Sequence, residues 1–201
     1  QATGVADGIK ELVDRLDISP EAISFFIHGT TVATNTLLER KGAKTALVVT
    51  KGFRDVLQVG RQDRPHLYDF RQQKPDPLVP RHLRLEVEER VLYSGEVLTP
   101  LSDAEVESLI EKLKAAEVSA VAVCLLHSYA HPVHERAIGK ALKEALPGLQ
   151  VSLSYDIVPE FKEYERMSTT AINAYVAPVM ERYLRELQRS TARGGIGSGL
   201  H

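Results

Sequence analysis

Three short runs of this sequence could do chemistry. The first is His28-Gly29-Thr30-Thr31, followed by Asn35. Glycine lets a ligand approach the backbone closely, and the threonines offer hydroxyls and N–H groups where the apolar run 23–27 stops. The second run holds Arg61, Gln62 and Arg64, whose guanidinium groups could grip a carboxylate or phosphate through paired hydrogen bonds. The third holds Glu160, Glu163, Glu165 and Arg166, where a carboxylate could move a proton and Arg166 could pair with a neighbouring acid. Each run has an ordinary structural reading as well: a turn after a strand, a solvated surface, and acids complementing a helix N-terminus. His127, His131, His134 and Glu135 have the residue types of a zinc site. However, His127 ends an apolar run while His131 and His134 surround Pro132, so the spacing favours loop and helix-start histidines over converging ligands. Neither G-x-x-x-x-G-K-[ST] nor G-x-G-x-x-G occurs.

The elements around these runs can be read from periodicity. The apolar stretch 23–27 reads as a buried strand, residues 34–40 as a short helix closed by Gly42, and residues 45–50 as a second strand. Strand, polar turn, helix and strand form the βαβ pattern of a parallel sheet, whose ligands sit beyond the carboxyl ends of the strands. Before this lies a helical pattern over 4–18, with Val5, Ile9, Leu12, Val13 and Leu16 as its apolar stripe. Residues 63–80 carry Pro65, Pro75, Pro77 and Pro80 and read as an irregular connection. Residues 85–93 read as a strand. Ser102 and Glu105 announce a helix as a capping box, with Leu101 and Val106 as its hydrophobic staple. The all-apolar run 120–126 suits a strand covered on both faces. Pro132 opens a further helix, Pro147-Gly148 stops it, and residues 151–155 alternate as a strand. A long helix is expected over 160–188, kinked or divided at Pro178. The fold class is therefore α/β, with mostly parallel sheets flanked by helices in two lobes. The expected division is a lobe at 1–80, a second at 81–190, and a flexible glycine-rich tail at 191–201.

Composition narrows the functional classes. At 201 residues with 43% hydrophobic and 26% charged side chains, the chain is an ordinary globular protein. A formal charge of −2 gives no reason to expect nucleic acid or an anionic membrane as a partner. The one cysteine, Cys124, lies in an apolar run and suits a reducing, cytoplasmic setting. No apolar run is long enough to span a bilayer.

Taken together, residues 28–62, 64–70, 74–80, 120–135 and 158–179 resemble the hydantoinase A / 5-oxoprolinase family, which includes N-methylhydantoinase A and acetone-carboxylase subunits. The resemblance implies part of an actin-like, ribonuclease H-like ATPase. It also implies ATP-dependent opening of a hydantoin or 5-oxoproline ring, with ATP and Mg2+ as cofactors. A B-type subunit or domain, a small cyclic amide and an oligomeric assembly are the implied partners. The family's phosphate-binding D-x-G-G-T-type segment would precede residue 4 and its second glycine-rich half would follow residue 187, so the chain reads as a fragment, inactive in isolation. A carboxylase subunit or a catalytically silent assembly piece are the alternatives. Carried onto matching positions, the resemblance puts Thr31, Arg61 and Glu165 in catalytic roles. His28, Gly29, Thr30, Asn35, Gln62, Arg64 and Arg166 would then contact substrate or nucleotide.

Overall fold

The computed structural model describes residues 2–194 apart from 24, 63–67, 70 and 72–74. Contacts divide the chain into a larger unit, Arg40–Pro178, and a smaller one made of Gln1–Glu39 with Val179–His201.

The larger unit is built on strand β1 (Thr45–Thr50), all six residues of which are buried. It pairs in parallel with β2 (Arg84–Val87) on one side and β5 (Ala120–Cys124) on the other, and β6 (Gln150–Leu153) completes the order β2-β1-β5-β6. A short antiparallel pair, β3 (Arg90–Val91) and β4 (Val97–Thr99), lies between β2 and the next helix in sequence.

Alternation along the strands explains why these runs are apolar throughout. Ala46, Val48, Val121 and Val123 pack with Leu109 and Leu113 of α4 (Asp103–Ala115) and Ile138 and Leu142 of α5 (Val133–Ala145). Leu47, Val49, Ala120, Ala122 and Cys124 pack with Met167, Ala171 and Ala174 of the long helix α7 (Glu163–Arg193). Each fully buried Leu or Val contributes roughly 1.5–3 kcal/mol, so two apolar faces per strand fix the register. Burial also pushes the Cys124 thiol up to about 12. Ser102 caps α4 by accepting the Glu105 N–H at 3.2 Å. The other half of the expected capping box is absent, because the Glu105 side chain accepts the Glu88 N–H instead.

The smaller unit holds α1 (Ala2–Leu16), a 3-10 turn at Pro20–Ala22, α2 (Val32–Leu38) and the last part of α7. Tyr183 and Leu187 form its core with Val5 and Val32. Val13 is buried as the stripe on α1 requires, whereas Leu12 and Leu16 are exposed. Among the described residues, no helix is long and apolar enough to cross a membrane.

Three expectations are corrected. Among its described residues the run 23–27 is not a strand: Phe26 alone of them makes a bridge, and Phe25 and Ile27 are 61% and 70% exposed. An apolar run becomes a strand only where a ladder partner takes up its backbone groups, and the main sheet's ladders join β1, β2, β5 and β6. Second, the lobes do not part at residue 80, because β1 before that point is hydrogen-bonded to β2 and β5 after it. Third, α7 is not divided at Pro178: it runs past that proline as one helix, with the division of contacts falling just after it. After Gly52 comes α3 (Val56–Val59), and two short elements escaped the periodicity: β4, and α6 (Ser154–Ile157), which takes over where the strand 151–155 was expected to end.

Gly42 is where the chain presses on α7. The Ala43 N–H donates to the Tyr175 carbonyl at 2.9 Å, and a Cβ on Gly42 would lie 2.2 Å from the Tyr175 ring. Gly42→Ala should therefore destabilise the protein by about 1–3 kcal/mol, read by urea denaturation, and Gly42→Ala with Tyr175→Ala should recover part of the loss.

Candidate functional site

The carboxyl ends of the parallel strands carry a buried polar network. Glu135, fully buried at the start of α5, accepts the Leu125 N–H at 2.8 Å and the Ser154 hydroxyl at 2.7 Å through Oε1, and the Tyr155 N–H at 3.1 Å through Oε2. Ser128 and Ser154 touch one another at 3.1 Å, and both accept from Nη1 of Arg166. The Arg166 guanidinium also lies over the Tyr129 ring, 5.6 Å from its centre. Burial raises the Glu135 pKa, opposed by the hydrogen bonds from Ser154 and the Leu125 N–H. At the end of β1, Thr50 donates to Glu89 and accepts the Leu126 N–H at 3.0 Å. Nδ1 of His134 meets Glu89 at 2.6 Å, and Nε2 accepts the Leu101 N–H at 3.5 Å, which places the proton on Nδ1.

Two clefts open on the larger unit. One, of about 660 Å³, is lined by Gln58, Arg61, Asp76, Glu165, Ser168 and Thr169 among others. Glu165, Ser168, Thr169 and Ile172 share one face of α7, as spacings of three and four dictate. Nε of Arg61 donates to Oε1 of Glu165 at 2.7 Å. The other cleft, of about 600 Å³, lies against residues that follow the strand ends, including Gly52, Phe53, Leu126 and His127.

The structure distributes the sequence candidates unevenly. Arg61 and Glu165 meet in the first cleft. Gln62 follows Arg61 with φ 61°, its N–H bonded to the Val59 carbonyl at 3.3 Å. Arg64 lies outside the described residues. Arg166 is a correction: neighbouring helix positions are turned about 100° apart, so as Glu165 faces the cleft Arg166 faces the interior, 1% exposed. His28, Gly29, Thr30, Thr31 and Asn35 belong to the smaller unit. There His28 Nε2 meets the Tyr183 hydroxyl at 2.6 Å, Thr30 Oγ1 accepts the Val32 N–H at 3.2 Å, and Asn35 donates to Thr31 Oγ1 at 3.3 Å. Gly29 has open space around it and no positive φ, so the fold does not itself require glycine there. The histidines after β5 have separate surroundings: His134 is on Glu89, His131 Nε2 on the Tyr93 carbonyl at 3.1 Å, and His127 edge-on to Tyr129. Among the described residues no group of three His, Cys, Asp or Glu side chains could hold a metal ion.

Sequence reasoning missed the Glu135 network and the role of Arg84. That arginine is buried, donates to the Val79 carbonyl and to Gln58, and is held below its usual pKa by burial. The available signal was a charged residue beside positions already assigned to the core.

A family profile described as the hydantoinase/oxoprolinase N-terminal region matches residues 1–146. The chain belongs to the hydantoinase/oxoprolinase family. Its fold is that of the crystal structure of ATP-dependent caprolactamase from Pseudomonas jessenii, with a TM-score of 0.88 and 32% identity over 96% of this chain and 29% of that one. Caprolactamase subunit alpha of that organism is 34% identical over 91% of this chain and 27% of its own length. For 5-oxoprolinase 1 of Arabidopsis thaliana the identity is 38%, over 83% of this chain and 14% of the relative. The nucleotide-free structure of acetone carboxylase matches with a TM-score of 0.84 and 27% identity, over 97% of this chain and 30% of that one. The chain thus spans less than a third of each of these relatives.

Removing Glu135 from this family member would strand the Leu125 and Tyr155 N–H groups and take away the carboxylate that Arg166 reaches through Ser154. Glu135→Ala should cost about 3–5 kcal/mol by urea denaturation, and adding Arg166→Leu should cost less than the sum of the two single changes. In the first cleft, a hydrogen bond from its own backbone N–H and then Arg61 hold the Glu165 carboxyl below its usual range. That stabilisation is present above the unfolded pKa and is lost as pH falls through the folded value. Arg61→Gln should move the Glu165 titration upward by NMR while leaving it below an ordinary glutamate.

Proposed function

We propose that this chain is the N-terminal part of a larger ATP-dependent enzyme that opens a cyclic amide, a hydantoin or 5-oxoproline. The observation that carries the reading is the caprolactamase likeness, which extends over 96% of the chain with a TM-score of 0.88. Relatives named 5-oxoprolinase support the same chemistry. A B-type subunit, an oligomeric assembly and a cytoplasmic setting complete the proposal, and the subunit naming of caprolactamase alpha supports the first of these.

ATP and magnesium do not fit the described residues of either cleft. The first offers Arg61, already paired with Glu165, against two carboxylates, Asp76 and Glu165. The second offers Arg90 and His127 against Asp55 and Glu163. A triphosphate needs a surplus of donors and positive charge, which neither lining supplies among the described residues. What the first cleft does offer is a carboxylate oriented by a guanidinium, with the hydroxyls of Ser168 and Thr169 on the same helix face. Such a group can fix the N–H edge of a ring amide and exclude water from it. Arg61 and Glu165 are the residues we assign to that task; the Thr31 turn of the smaller unit is proposed separately, as a ligand contact in its own right.

The acetone carboxylase likeness favours a second reading, a carboxylase with a ketone substrate. ADP release by the full-length protein, with its partner subunit, distinguishes the two. A cyclic amide should stimulate release at least tenfold with ring-opened product, and Arg61→Ala should lower that turnover about tenfold without changing Tm. Stimulation by acetone with bicarbonate alone would establish the second reading, and none by any of them would leave an assembly role.

A further inference from the structure

The sheet order places a switch of direction between β1 and β5. The chain leaves β1 for β2 on one side and leaves β5 for β6 on the other. In open parallel sheets the crevice outside the carboxyl ends of two such strands is where ligands bind. The second cleft is built from the segments that occupy that position: Gly52 and Phe53 after β1, Leu126 and His127 after β5, and Arg90 of β3 after β2. Gly52, with φ +91°, makes the turn out of β1 that an L side chain would strain.

Among the described residues, two groups in this cleft lack a polar partner. The Arg90 guanidinium lies over the Phe53 ring, 5.3 Å from its centre, and among the described residues no carboxylate lies within ion-pair distance of it. His127 is held at φ 56°, and its Nδ1 is buried without a hydrogen-bond partner among the described residues. A buried orphan is less costly as a bare acceptor than as an N–H. The tautomer with Nδ1 bare therefore carries its proton on Nε2, the nitrogen not buried away. The charge of the cleft sets the ligand's charge. Asp55 is bound through both oxygens by Arg81 at 3.0 Å each, whereas Glu163 faces the same space with no such partner among the described residues. Arg90 supplies one positive charge for an anion, and the Glu163 carboxylate in the same cleft repels any further negative charge, which disfavours a phosphate dianion relative to a monoanion.

We propose that this switch-point cleft binds a small planar carboxylate-type monoanion through Arg90 and His127, with Phe53 and Leu126 as its apolar walls. Resting on the reading above, the anion comes from one of two sources: the carboxylate of a 5-oxoproline-type substrate, or bicarbonate in a carboxylase.

Calorimetric binding to the full-length protein without nucleotide tests this separately from turnover. The probes are 5-oxoproline, bicarbonate, and hydantoin as the ring without a carboxylate. Arg90→Gln should weaken one anion at least tenfold, leave hydantoin within twofold, and be partly rescued by Arg90→Lys. Loss of 5-oxoproline identifies the substrate carboxylate, and loss of bicarbonate identifies the carboxylase source. His127→Gln, which leaves the Phe53 stack in place, should weaken the same anion and serves if Arg90→Gln does not fold. Wild-type protein that binds neither anion, or variants that bind both anions as wild type does or lose hydantoin equally, would overturn the proposal. Anion binding that Arg90→Gln removes, in a protein with no ATP-dependent turnover, would instead overturn the reading of function and leave this site standing.

Discussion

A single ionisable group, the carboxyl of Glu135, ties together the end of β5, the start of α6 and, through two serines, α7. Burying a carboxylate costs several kcal/mol unless its oxygens are occupied and a positive charge is near. Here three donors occupy the oxygens, and Arg166 stands one hydroxyl away. The arrangement exists because parallel strands end together. Their last backbone N–H groups find no further ladder partner and must be met by side chains. Thr50 does the same for Leu126, and Glu89 with His134 extends that chain towards the start of α4. The second cleft borders this rigid edge at Leu126, whose N–H Thr50 holds.

Much of the larger unit was legible in the sequence because its strands are buried on both faces. The runs 45–50 and 120–126 contain almost nothing but apolar residues, and two covered faces leave few alternatives. The helices of α4 and α5 announced themselves through Ser102 and Pro132. Elements whose existence depends on a partner were not legible. The run 23–27 has the composition of a strand, yet composition does not supply a neighbouring backbone. The exposure of Leu12 and Leu16 on α1 is a similar case.

The candidate site was legible in pieces. Arg61 and Glu165 are distant in sequence, and it was the family resemblance that brought them together; the structure gives the bond between them. Arg166 was misplaced because it adjoins Glu165 in sequence while pointing elsewhere on the helix. Arg90 and His127 carried no signal as a pair: one lies in a short edge strand and the other in a histidine-rich stretch whose spacing drew attention to metals. Only the strand order, which local patterns do not encode, puts them on one cleft.

The thiol of Cys124 gives this architecture a built-in reporter. It sits at the last position of β5, packed against α7 and 3% exposed, with an ionisation near 12. A thiol in that state reacts with an alkylating reagent only when the strand end is opened. Its labelling rate in intact protein would therefore count excursions in which the central sheet and α7 come apart, at the same strand edge that borders the second cleft.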